Sequence, residues 1–242
     1  MKNKRKLIII LISILLPAAL IIGCSAVYLS DYYKSDYEAI GAFMPQHSGW
    51  EEEPDNTIVF EPENPSAGFI FYPGGKVEHR SYIPLMQELQ ERGVLCVIVK
   101  MPFNLAVFDV NAADGIRAEY PEVKNWYIGG HSLGGSMAAS YLGSHRDEFE
   151  GLVLLGSYST ENLSDSKLRV LSVFGSEDKV MNRVSYAEYK ANLPEDFTEI
   201  EIPGGCHAYF GMYGTQEGDG TPTITNEEQI RLTAEYISEI IK

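Results

Sequence analysis

Apolar residues fall along this chain in two kinds of stretch, and each predicts a different element. The first is continuous: Leu7 to Leu29 is 23 residues without a charged side chain, between Lys2, Lys4, Arg5 and Lys6 on one side and Asp31, Lys34 and Asp36 on the other. As a helix it would be ~34 Å long, enough to cross a bilayer core of ~30 Å. The second kind starts at Gly68, where short apolar runs (GFIFY, VLCVIV, WYIGG, GLVLLG, LRVLSVFG and the more polar TEIEIPG) alternate with amphipathic stretches. Runs of this length without alternation read as strands buried on both faces. The stretches between them predict helices over 81–92, ended by Gly93, and over 105–120, 133–145 and 183–192. A last helix starts at Thr225, where Thr-x-x-Glu with Glu228 makes a capping box. The sum is an α/β fold, a doubly wound, mostly parallel sheet with helices on both faces.

Ahead of that alternation, Trp50 to Glu53 and Thr57 to Phe60 flank Pro54-Asp55-Asn56 and predict a β-hairpin. Residues 30–48 read as a juxtamembrane linker with a helical turn or two. The expected organisation is therefore a membrane anchor or signal segment over 1–29, that linker, and one catalytic-sized domain over 49–242. Only twelve residues separate Leu155 from Leu168, which leaves no room for a large cap domain there.

Charge sharpens the reading of the N-terminus. Four of the 19 basic residues lie in the first six positions, and from residue 7 onward the balance is 15 minus 34, or −19. The basic flank is expected to stay in the cytoplasm, which places the domain outside it at the cell membrane. Ile21-Ile22-Gly23-Cys24 also resembles a bacterial lipobox, so cleavage and lipidation of Cys24 is the competing form of the same tether. An acidic body repels phosphate backbones, and no run of Lys or Arg offsets it, so nucleic-acid binding is not expected. Three cysteines without C-x-x-C or H-E-x-x-H point to neither a disulfide framework nor structural zinc.

Ligands of open α/β sheets bind beyond the carboxyl ends of the strands, so chemistry is sought in the loops that end the apolar runs. Gly130-His131-Ser132-Leu133-Gly134 lies between a predicted strand and a predicted helix and matches G-x-S-x-G, a turn so sharp that glycine is needed on both sides of the serine. A serine hydroxyl is a poor nucleophile until a base takes its proton. Of five histidines, His47, His79, His131 and His145 read as surface or packing residues. His207, in the small-residue loop Gly204-Gly205-Cys206-His207 after the last strand, is the candidate base. Asp178, in Gly175-Ser176-Glu177-Asp178, is the candidate carboxylate that orients it. The oxyanion donors are expected to be the N–H groups of Leu133 and of Gly75 in Tyr72-Pro73-Gly74-Gly75-Lys76, with Lys76 the near alternative. That loop fails the P-loop spacing, so nucleotide binding is not implied. No cofactor or metal site is expected.

These residues resemble the α/β-hydrolase fold superfamily, in particular cap-less bacterial serine hydrolases of esterase type with an N-terminal membrane segment. The resemblance is carried by FIFYPGG (69–75), KMPFNLAVF (100–108), WYIGGHSLGG (126–135), VFGSEDKV (173–180) and GGCHAYFGMYGTQEGDG (204–220), and the order Ser132, Asp178, His207 is that of the family. It implies Ser132 as nucleophile, Asp178 as acid and His207 as base. Dienelactone hydrolases, relatives with a cysteine nucleophile, are not matched by this serine.

The expected activity is hydrolysis of small carboxylic esters through an acyl-enzyme. Acyl transfer or amide cleavage by the same triad is the alternative within enzymes, and a non-catalytic extracytoplasmic binding module the alternative outside them. Met101, Phe103, Leu105, Val107 and Phe108, like Tyr209, Phe210, Met212 and Tyr213, fit core packing and pocket lining equally well. The loop from Gly211 to Thr225 reads either as a mobile flap or as a plain connection. Cys96 reads as a small core residue and Cys206, beside the base, as a thiol sensitive to oxidation, with nothing that argues for a redox role. Oligomeric state is not legible.

Overall fold

The computed structural model describes residues 2–44, 50–52 and 57–241. They form two compact units, Met1–Tyr32 and Tyr33–Lys242. The first is helix α1, Lys2–Ser30, with Pro17 inside it. It contains the whole 7–29 stretch. Among the described residues no helix is long and apolar enough to cross a membrane, so the membrane reading rests on the sequence alone.

In the second unit, helix α2 (Tyr37–Phe43) precedes strands β1 (Trp50–Glu52), β2 (Thr57–Phe60) and β3 (Ala67–Tyr72). Helix α3 (Ile83–Gln90) and strand β4 (Val94–Val99) come next, followed by helix α4 (Ile116–Glu119), strand β5 (Trp126–His131) and helix α5 (Leu133–His145). Strands β6 (Gly151–Leu155) and β7 (Arg169–Gly175), helix α6 (Arg183–Tyr189), strand β8 (Thr198–Ile202) and helix α7 (Asn226–Ile240) complete it. The strands make one eight-stranded sheet in the order β1-β2-β4-β3-β5-β6-β7-β8. Strands β1 and β2 are antiparallel, β2 runs antiparallel to β4, and every pairing from β4 to β8 is parallel. The expected hairpin is present, although its turn lies outside the described residues.

Successive side chains of a strand point to opposite faces, and the core divides accordingly. Phe69, Phe71, Cys96, Ile98, Val153 and Leu155 pack with Leu85, Leu89, Ile230 and Ile237 of α3 and α7. Their neighbours Ile70, Tyr72, Leu95, Val97, Ile128 and Leu154 pack with Ala138, Ala139 and Leu142 of α5 on the other side. Burial on both faces is the reason these strands are continuous apolar runs. Gly93, at φ +83°, ends α3 as expected, and Thr225 Oγ1 accepts the Glu228 N–H at 3.1 Å to cap α7.

Two expectations change. The predicted helix over 105–120 is instead a 3₁₀ turn at Ala106–Phe108, non-helical turns over 110–115, and the single short helix α4. The apolar residues at its start, 105–108, are contiguous rather than spaced at 3.6, and Gly115 at φ +85° interrupts the backbone before α4. The segment read as a linker packs against the domain from Tyr33 onward: Ile40 and Met44 are buried, Tyr33 N–H donates to the Lys76 carbonyl at 2.7 Å, and Glu78 N–H donates to the Tyr33 carbonyl at 2.9 Å. Main-chain pairing of this kind has no side-chain signature, so composition marked the segment as a linker.

Candidate active site

Strand β5 turns directly into α5 at Ser132, whose φ of 51° and ψ of −121° place a non-glycine residue where side chains are strained. The turn is tight enough that a Cβ at Gly130 or Gly134 would run into the Tyr72 carbonyl. Ser132 N–H donates to the Leu155 carbonyl at 2.9 Å, and the Ser157 hydroxyl donates to the Ser132 carbonyl at 2.6 Å. The elbow is thus braced by the end of β6, and the serine stands half-exposed at the N-terminus of a 13-residue helix.

At the ends of β7 and β8 the structure brings Asp178 and His207 together. His207 Nδ1 lies 2.8 Å from Asp178 Oδ2, and both residues are almost fully buried. The other carboxylate oxygen accepts the N–H groups of Val180 at 3.0 Å and Met181 at 2.9 Å. An ionised carboxylate only accepts hydrogen bonds, so this partner puts the imidazole proton on Nδ1 and leaves Nε2 as a lone-pair acceptor. Nε2 is buried without a hydrogen-bond partner. The link from Ser132 Oγ to Nε2 is therefore open in this structure.

What flanks the serine also flanks the imidazole. The ring of His131, the residue before Ser132, lies 4.5 Å from the His207 ring, centroid to centroid. Gly156, directly after the Leu155 carbonyl that holds Ser132 N–H, has φ +51°, and a Cβ there would sit 2.9 Å from His207 Nδ1 and 3.1 Å from Asp178 Oδ2. Only a glycine allows β6 to end against the imidazole and carboxylate pair. His131 itself is buried, and burial, followed by the neighbouring His207 charge, holds its pKa well below the ordinary imidazole value.

On the loop after β3, the Gly74 N–H goes to the Tyr82 hydroxyl at 3.0 Å and the Lys76 N–H to the Asn104 carbonyl at 2.7 Å. Lys76 is thereby removed as an oxyanion donor. Gly75 lies against Leu133, whose Cβ would be 3.2 Å from a Cβ at position 75. The two expected donors are neighbours.

The other histidines behave as packing groups where they are described: His145 stacks on Tyr141 with centroids 4.0 Å apart, and His79 is buried. His47 lies outside the described residues. Met101, Phe210, Met212 and Tyr213 are core residues, whereas Phe103, Val107 and Phe108 are exposed. Burial pushes the Cys206 thiol up to about 12, which makes it a poor thiolate and corrects the expectation of easy oxidation. The 211–225 loop is fastened rather than free, because Asp219 Oδ2 accepts the Ala208 N–H and Oδ1 the Lys179 N–H. Sequence reasoning passed over Asp219, although a lone acid between Gly218 and Gly220 after the base was a signal. It also passed over Tyr82, Gly156 and Ser157, which only the folded chain brings to the site.

The profile described as the alpha/beta hydrolase family matches residues 68–231. No curated protein matches the sequence. Among solved structures, Est1E from Butyrivibrio proteoclasticus with ferulic acid bound is 15% identical, with a TM-score of 0.60 over 80% of this chain and 99% of that one. A predicted CIB-like hydrolase from Thermoplasma acidophilum is also 15% identical, with a TM-score of 0.56 over 80% and 98%. The esterase domain of a Rhodothermus marinus protein is 12% identical, with a TM-score of 0.58 over 76% and 90%. At these identities the likeness is one of fold.

Proposed function

Since the chain belongs to the alpha/beta hydrolase family, we propose that it is a serine hydrolase that cleaves small carboxylic esters through an acyl-enzyme. The observation that carries this reading is the buried Asp178–His207 pair, with a lone-pair nitrogen left unpartnered, at the same sheet edge as a serine held in a strained elbow.

Ser132 Oγ attacks the ester carbonyl while its proton passes to His207 Nε2. Asp178 Oδ2, already bonded to Nδ1, stabilises the imidazolium, and the N–H groups of Leu133 and Gly75 hold the negative oxygen of the tetrahedral intermediate. When the intermediate collapses, the C–O bond to the alcohol breaks and Nε2–H gives the leaving oxygen its proton. Water then gives its proton to Nε2, attacks the acyl carbon and releases the carboxylic acid, and Ser132 regains its proton. A fluorophosphonate probe is expected to label Ser132, and Ser132→Ala to lower kcat by at least ~10⁴-fold. A folded sample that neither labels nor turns over p-nitrophenyl esters would overturn the reading.

The same proposal places the domain outside the cytoplasm, tethered at the cell membrane by the 7–29 stretch or by lipid on Cys24. It is supported by the basic flank at residues 2–6. Protease shaving of intact cells tests it: loss of the domain with the cytoplasm kept sealed is expected.

A further inference from the structure

Two segments of the site meet at one phenol. The Tyr82 hydroxyl accepts the Gly74 N–H at 3.0 Å and lies 2.8 Å from His131 Nδ1. Tyr82 and His131 are both fully buried, so neither can exchange a lost partner for water. A hydroxyl that already accepts one bond satisfies the group best by donating its own proton to the second partner. Nδ1 of His131 is then the acceptor, and the ring proton sits on Nε2. From there the ring packs at 4.5 Å against His207, with Phe210 at 5.5 Å and Tyr213 at 6.5 Å on its other sides. Gly74 is fitted to this junction, since a Cβ there would fall 2.7 Å from His131 Nδ1 and 2.8 Å from the Tyr82 oxygen.

We propose that Tyr82 is a positioning residue, whose hydroxyl ties the loop carrying the Gly75 N–H to the nucleophile elbow and fixes His131 as the Nε2–H tautomer beside the general base. Its catalytic consequence rests on the hydrolase reading above. Tyr82 touches no reacting atom. It acts through Gly74, which sets the direction of the next amide, and through His131, which sets the surface on which His207 turns. Small misplacements of an oxyanion donor are costly because its hydrogen bond is made to the transition state.

The test compares Tyr82→Phe, Gly74→Ala and Ser132→Ala with wild type in the full chain, using p-nitrophenyl butyrate and ¹⁵N spectra of histidine-labelled protein. Tyr82→Phe is expected to lower kcat by about 10- to 100-fold with KM held within about twofold, and Gly74→Ala to do the same by displacing both partners. In wild type the His131 Nδ1 resonance is expected at the unprotonated position, and the phenylalanine variant is expected to move it. Unchanged kcat in folded Tyr82→Phe, or a protonated Nδ1 in wild type, overturns the proposal. If wild type is as inert as Ser132→Ala, the hydrolase reading fails, while the nitrogen spectrum still decides the Tyr82 link. If Tyr82→Phe does not fold, the wild-type spectrum and Gly74→Ala decide it.

Discussion

The carboxylate of Asp219 accepts the backbone N–H of Ala208 at 2.8 Å, and Ala208 directly follows His207. Its second oxygen takes the N–H of Lys179, which directly follows Asp178, at 3.3 Å. One side chain thus joins the loop of the candidate acid to the loop of the candidate base. Hydrogen bonds to an ionised acceptor are the stronger kind. Asp219→Ala is expected to lose ~1–3 kcal/mol of stability and to lower kcat, with Asp219→Asn intermediate because it keeps one acceptor oxygen. Urea denaturation beside p-nitrophenyl ester turnover measures both, and an Asp219→Ala variant with wild-type kcat would show that the two loops hold themselves.

Glu78 fastens the N-terminal segment to the domain, receiving the Ser35 N–H at 3.0 Å and the Tyr37 hydroxyl at 2.5 Å. Burial by itself would raise its pKa, but the Tyr37 and Ser35 bonds and the nearby Arg80 outweigh this and leave it below 4.5. A depressed carboxylate contributes stability that is complete above its unfolded value and is lost as pH falls through the folded one. Glu78→Gln is therefore expected to flatten part of the acid limb of a stability–pH curve below about pH 4.5, while its difference from wild type stays constant above that pH. Urea midpoints from pH 3 to 7, an interval of ~4 units spanning the carboxylate range, make the comparison. A difference that keeps changing between about pH 5 and 7 would assign the effect to another group.

Phe103 and Phe108 meet edge to face, with centroids 5.7 Å apart, and are 60% and 56% exposed. Their segment is clasped to the candidate oxyanion loop through the Asn104 carbonyl and Lys76 N–H. Exposed aromatics beside a reaction centre favour apolar substituents. Phe103→Ser with Phe108→Ser is expected to raise KM for butyrate and benzoate esters severalfold while acetate changes little. Because the side chains are exposed, Tm should hold. Equal effects on all three esters would mean that the pair does not touch substrate.

Ser132 and alanine at the same position share the strain of φ 51°, whereas glycine adopts that angle freely. Ser132→Gly is accordingly expected to be inactive yet more stable than Ser132→Ala by ~1 kcal/mol. Thermal unfolding of the two variants side by side reads this directly. A less stable glycine variant would show that the turn is relaxed as it stands.

The sheet was readable because burial on both faces writes strands as unbroken apolar runs: VLCVIV became β4 unchanged, and GLVLLG became β6 less its final glycine. The ends of helices were readable where local chemistry sets them, at Gly93 and Thr225. Ser132, Asp178 and His207 were legible as loop residues at strand ends, because the fold class itself says where such loops converge. Tyr82 was not, since its role comes from partners 8 to 49 residues away, and Asp219, though set off between two glycines, gave no sign of its partners 11 to 40 residues away. The docking of Tyr33 escaped for a related reason: it is main chain against main chain, and any residue could have supplied those atoms. The 105–120 segment misled because contiguous apolar residues suit several backbone paths.

A side chain kept at backbone angles that suit glycine has a bearing on descent as well as on chemistry. If the hydrolase proposal and the glycine prediction hold, drift from serine to glycine at position 132 would run downhill in folding energy, toward a sturdier and chemically silent protein. On the hydrolase proposal, a serine there would be held in place by its hydroxyl alone, and an inert descendant of this chain would be expected to betray itself first at that one codon.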